Sequence, residues 1–218
     1  MKKIIIVFVI GLLVQQITQA QGTTFLSNLD QPSVGSIALG SDSWLATEFY
    51  TGNNVAGYSL NSIQLEMTGA SGSPNDFTVM LYTEAGNISS FTYPGVSLGT
   101  LNGSTDPSTA GIFTYTPTAN LTLLRHTGYF IVLTAGTAVA DGYYEWSFEG
   151  RYPYNSNNGW IGMLDAEQSS DGLSWSFYHA YGAQYVINAT AIPEPSSLCL
   201  LLLGSGGLIY ARRNRRIS

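Results

Sequence analysis

An all-β fold, a single sandwich or jelly-roll-like domain, is predicted for this 218-residue chain by three observations. Polar and apolar residues alternate with period two, turn residues recur at short intervals, and outside the two ends no window of helical length shows 3.6-residue periodicity. The composition agrees: aromatics reach 12% while charged residues make up only 10%, a balance that suits pleated, half-buried surfaces.

The strands follow in order. Ser62-Ile63-Gln64-Leu65-Glu66-Met67, Phe77-Thr78-Val79-Met80-Leu81 and Tyr144-Glu145-Trp146-Ser147-Phe148-Glu149 alternate, so each sets one face on a core. Residues 129–133 are continuously apolar, as a central strand requires. Gly52-Asn53-Asn54, Gly72-Ser73-Pro74-Asn75, Asn102-Gly103, Thr116-Pro117, Asp141-Gly142 and Asp171-Gly172 supply residues suited to tight turns. Residues 121–127 read as a short connecting turn. Roughly ten strands result, with no internal repeat and no composition shift before Pro193. The organisation is therefore residues 1–20, a leader; 21–192, the β-domain; and 193–218, a tail.

The leader has Lys2 and Lys3, an apolar run over 4–14, and Ala20 ahead of Gln21. Those parts make a secretory signal peptide, passed through the Sec translocon and cut by signal peptidase between Ala20 and Gln21. The run is shorter than the ~20 residues that span a bilayer. In the tail, Pro193-Glu194-Pro195 stops any strand, residues 196–210 are almost uninterruptedly apolar, and Arg212, Arg213, Arg215 and Arg216 finish the segment. A transmembrane helix over 196–211 would be roughly 24 Å long, short for a ~30 Å hydrocarbon core. The arginines would stay in the cytoplasm by the positive-inside rule, leaving Glu194 just outside the inner membrane. The only cysteine, Cys199, lies in this run, so the β-domain has neither a disulfide nor a thiolate.

Pro193-Glu194-Pro195-Ser196-Ser197, the Leu-rich stretch with Gly204 and Gly206-Gly207, and the arginine cluster together resemble the PEP-CTERM sorting signal. The resemblance implies processing by an exosortase, an integral-membrane enzyme of bacteria that make extracellular polysaccharide. It also implies transient membrane anchoring and then release or attachment at the cell surface. Within the β-domain, Ala46-Thr47-Glu48-Phe49-Tyr50-Thr51-Gly52, Tyr58-Ser59-Leu60-Asn61-Ser62-Ile63, Phe77-Thr78-Val79-Met80-Leu81-Tyr82, Leu121-Thr122-Leu123 and Gly128-Tyr129-Phe130-Ile131-Val132-Leu133 resemble the choice-of-anchor R domain often found ahead of such tails. That likeness implies a β-sandwich of no assigned biochemical role.

Charge narrows the partners. Over 21–192, 13 acids face only Arg125 and Arg151, a formal charge of −11, which excludes the clustered cations that nucleic acid needs. The acids are expected at the surface as a solubility device, with Ca²⁺ capture as an open option. No Gly-x-Ser-x-Gly elbow exists, and His126 and His179, without cysteine partners or a His-Glu-x-x-His helix, do not make a zinc site. Glu145 and Glu149 share a strand face, but a separation near ~13 Å is wide for a glycosidase pair. Neither cofactor nor metal is expected.

The aromatic-rich last third suggests binding. The loop over 151–160 holds Tyr152, Tyr154, Asn155, Asn157, Asn158 and Trp160; its Pro, Asn and Gly argue against a core strand, so its rings and amides are the expected glycan contacts. The expectation is a non-enzymatic secreted or cell-surface protein, a structural, adhesive or glycan-binding component of the extracellular polysaccharide matrix. The alternative is a carbohydrate-active enzyme of glycosidase type.

Overall fold

The computed structural model describes residues 22–194 except 88–90, 104, 151–152 and 180. The leader with its cut at Ala20 and Gln21, Tyr152, Pro195, the apolar tail and its arginines lie outside the described residues. Among the described residues there are strands and no helix. In chain order they are β1 (Thr23–Ser27), β2 (Ser33–Leu39), β3 (Trp44–Tyr50), β4 (Tyr58–Gly72), β5 (Thr78–Asn87), β6 (Phe91–Gly103) and β7 (Gly111–Pro117). There follow β8 (Thr122–Leu123), β9 (Gly128–Thr134), β10 (Gly142–Glu149), β11 (Asn155–Ser156), β12 (Ile161–Ser169), β13 (Ser176–His179) and β14 (Tyr185–Ala191).

All pairings are antiparallel and join one sheet, in the order β11-β1-β14-β4-β7-β6-β5-β9-β3-β12-β13, with β8 and β10 on β4 and β2 on β10. The all-β expectation holds. The sheet folds over so that its β1-β14-β4-β10 part faces its β5-β9-β3-β12 part. Tyr185 of β14 crosses the interior, its hydroxyl donating to the Glu48 carbonyl of β3 at 3.3 Å. Trp160, just before β12, is enclosed by rings from both parts: Phe25 and Phe49 stack on it at 5.1 and 5.8 Å, and Tyr58 meets it edge-on at 4.9 Å.

The alternation read from the sequence runs through most strands. In β4, Ile63, Leu65 and Met67 point inward between half-buried neighbours, while the register slips opposite Asn188 and Ala189, so Tyr58 and Leu60 reach the core in the other phase. Asn102-Gly103 and Thr116-Pro117 are strand positions, not turns: Asn102 pairs Thr116 and Gly103 pairs Tyr115. Gly103 is chosen by close approach, since a Cβ there would stand 2.4 Å from the Tyr115 ring. Asp171-Gly172 does turn, with Gly172 at φ +73° and the Asp171 carboxylate accepting from the Leu173 and Ser174 amides.

β9 is buried along its whole length because both faces of the sheet are covered there. Tyr129, Ile131 and Leu133 enter the main core. Phe130 and Val132 join Ala46 and Met80 in a second apolar cluster on the opposite face, closed by Trp44, Tyr82 and Trp175. Trp160→Ala should lower unfolding free energy by ~3–5 kcal/mol, measured as a shift in urea midpoint at unchanged slope.

Candidate functional site

Period two on a strand buried on both faces gives its residues two environments. On β3, Leu45 and Phe49 enter the main core, while Ala46, Glu48 and Tyr50 lie on the opposite face. Pairing then lines up that second face: Ala46 opposes Glu167 of β12, Glu48 opposes Phe130 and Tyr50 opposes Gly128. Glu48 and Glu167 are each only 3% exposed. Both line a cleft of about 280 Å³ with Phe91, Thr92, Met163, Asp165 and Phe177. Glu84 closes the row, because a Cβ on Gly128 would sit 2.0 Å from its Oε2 and 3.1 Å from Glu48 Oε1. Glycine at 128 therefore leaves the space over which these carboxylates converge.

Among the described residues no cation lines the cleft. Thr92 donates to Glu48 Oε2 at 3.0 Å, while Glu48 Oε1 and Glu167 Oε2 are buried without a hydrogen bond among the described residues. Burial is the main cause of the resulting shifts, since a carboxylate away from water favours its neutral form. Glu48 is raised to about 7, with Glu84 and Asp165 adding like charge against the Thr92 bond. Glu167 is raised to about 9, with Glu48 and Asp165 adding to its burial. The Tyr50 phenol is also raised, by burial and then by Glu48 and Glu84. At neutral pH the cleft thus offers a protonated carboxyl, which can donate, beside Asp165 and the rings of Phe91 and Phe177. Among the described residues no group of three or more His, Cys, Asp or Glu is placed to hold a metal ion.

The residues singled out in the 151–160 loop fare differently. Trp160 is 1% exposed, and with Phe25, Phe49 and Tyr58 packed on it no ring face is free for a sugar: this is a correction. The chain dives from the turn at Gly159 (φ +78°) straight into the core, which the local Pro, Asn and Gly could not reveal. Tyr154 is half-buried, its hydroxyl donating to the Met163 and Ala183 carbonyls, although it borders a second groove of about 320 Å³ with Pro153, Ser156 and Ile161. Asn155, Asn157 and Asn158 are exposed, yet Asn155 donates to Asp30, Asn157 to the Thr24 carbonyl, and the Asn158 carbonyl accepts from Asn53 N–H.

The strand acids were expected to face solvent. Glu145 is half-buried and accepts from Ser36 at 2.9 Å, but Glu149 is fully buried beside Gly182, after a register shift at Phe148. Glu48 and Glu167 depart from that expectation as well. Their signal was an acid inside an otherwise apolar or alternating strand, legible only once the second face is known to be covered.

At the far end of β14 the chain leaves the domain under tight hold. Ile192 N–H donates to the Gly57 carbonyl at 3.0 Å, Asn54 Nδ2 donates to the Ile192 carbonyl at 2.9 Å, and Val55 N–H reaches Glu194 Oε1 at 3.3 Å. These contacts engage the first residues of the tail motif. Residues 191–216 match the PEP-CTERM protein-sorting motif. The motif implies export and membrane-anchored sorting in bacteria, with exosortase processing. No curated protein and no solved structure matches the chain.

The cleft makes stability pH-dependent. Both glutamates bind their proton more tightly in the folded chain than at the ordinary value of 4.5, so the stabilisation is full below that value. It is lost as pH rises through about 7 for Glu48 and about 9 for Glu167. Thermal melts of the domain should show Tm falling from acid pH toward pH 9, and Glu167→Gln should flatten the upper part of that slope.

Proposed function

We propose that this is a non-enzymatic exported protein, sorted by an exosortase and working at the cell surface as a structural or adhesive, glycan-binding component of the extracellular polysaccharide matrix. The observation that carries the reading is the sorting motif joined without a spacer to an acidic, disulfide-free β-domain. The resemblance to choice-of-anchor R domains agrees with it.

The glycan contact we favour is the carboxylate cleft. Phe91 and Phe177 give apolar faces for a sugar ring, and Phe177 is 54% exposed. The protonated Glu167 offers a donor, and the Asp165 carboxyl oxygens offer acceptors, for hydroxyls. The Pro153, Asn155, Asn157 and Asn158 edge is a secondary contact. A net charge of −11 favours neutral polymers over acidic ones.

A second reading is supported by the same pair: two carboxyls with raised proton affinity in a cleft are the equipment of a glycoside hydrolase. Glycan arrays and pull-downs with the exported domain and its own cell's polysaccharide separate the two. We expect retention of neutral glycans, weakened severalfold by Phe177→Ala, and no new reducing ends. Reducing ends that vanish in Glu167→Gln would favour the enzyme, and silence toward every polysaccharide and envelope fraction would refute the matrix role.

A further inference from the structure

We infer that, before processing, the end of the β-domain from which the tail leaves rests directly on the lipid headgroup surface. The reason is a lack of slack. Ile192 and Glu194 are held by Asn54, Val55 and Gly57, and the first apolar residue of the tail is Leu198, with only Pro195, Ser196 and Ser197 between them. Four residue steps span at most ~14 Å fully extended, so no long stalk lifts the domain from the bilayer in which the run is anchored.

The surface at this end suits that neighbour. The turn over 53–57 closes with Gly57 N–H donating to the Asn54 carbonyl at 3.0 Å, and Asn54 N–H donating to the Tyr58 hydroxyl at 3.0 Å. Beside it lies the 124–127 turn: a Cβ on Gly57 would stand 2.5 Å from the Leu123 carbonyl oxygen and 3.7 Å from Leu124 Cα. His126 N–H donates to the Gly52 carbonyl at 3.2 Å. These turns raise two large aliphatic side chains into solvent, Val55 at 62% and Leu124 at 63% exposed. Next to Leu124 stands exposed Arg125, one of only two arginines, with no lysine, between 21 and 192.

Aliphatic tips with an arginine beside them fit the boundary between acyl chains and anionic headgroups. The rest of the domain, strongly acidic, is repelled by an anionic leaflet. That repulsion and the short tether together orient the domain with this end down. The partner is the bilayer itself, and the contact ends when the tail is cut.

The full chain, carrying Cys199→Ala so that a single label can be placed, is reconstituted in vesicles of phosphatidylethanolamine and phosphatidylglycerol. A nitroxide is attached through Val55→Cys, Leu124→Cys or Leu173→Cys. Leu173 follows Gly172, which packs on Trp44 at the opposite end of β3, and is 84% exposed. Spin relaxation by oxygen, concentrated in lipid, is compared with relaxation by a water-soluble nickel chelate.

Labels at 55 and 124 should favour oxygen severalfold relative to 173. A flexible Gly-Ser insert between Glu194 and Pro195 should return both to the aqueous pattern, and Asn54→Ala should move them part of the way. Chain that floats with the vesicles while 55 and 124 read as aqueous as 173 would overturn the inference and leave the anchoring intact. Chain that fails to float would overturn both. The two labels are placed in separate variants, so misfolding of one leaves the other to decide.

Discussion

Burial of both faces of β3 and β9 is the constraint on which the rest of this molecule depends. A sheet buried on one face can send alternate residues to water; one covered twice cannot, and whatever side chains its strands carry must be accommodated in a dry setting. On one side the solution is ordinary, a core of Leu45, Phe49, Tyr129, Ile131 and Leu133 closed by the β1-β14-β4 part of the sheet. On the other, Ala46, Phe130 and Val132 are capped by Trp44, Tyr82 and Trp175, and the row continues into Glu48 and Glu167. Carboxyls at those positions hold protons because water has been taken from them.

That arrangement explains what sequence could and could not disclose. The all-β class and the buried run at 129–133 are set by periodicity and turn chemistry, both local and therefore readable. The Asn102-Gly103 pair misled because the same glycine that serves a turn also serves a strand passing under Tyr115. Trp160 misled for the complementary reason: turn-forming neighbours describe the path of the backbone, not the destination of a ring that ends against Phe25, Phe49 and Tyr58. The cleft was hidden altogether, since Glu48, Asp165 and Glu167 come from strands far apart in the chain and are assembled only by the β3-β12 pairing. By contrast, the tail motif is a contiguous string of residues and needs no fold to be recognised.

The sorting motif and the folded domain also prove less separate than their sequence positions suggest. The PEP-CTERM motif begins where β14 ends, and Asn54, Val55 and Gly57 bond its opening residues. An enzyme that acts on the motif meets Ile192 and Glu194 held on a folded surface, with the Glu194 side chain engaged by Val55 N–H. Stability of the 53–57 turn thereby bears on how readily the motif is freed, through a local opening far smaller than global unfolding.

The placement of β14 has a further consequence, one of timing. It lies between β1 and β4, bonded to both, so the first strand to emerge from the translocation channel has no inner neighbour until the last one follows. β14 is followed at once by the sorting motif, with its apolar segment and arginines. Completion of the sheet and arrest of the chain in the membrane are thus nearly simultaneous, and a domain truncated even one strand early would be exported with two sheet edges open.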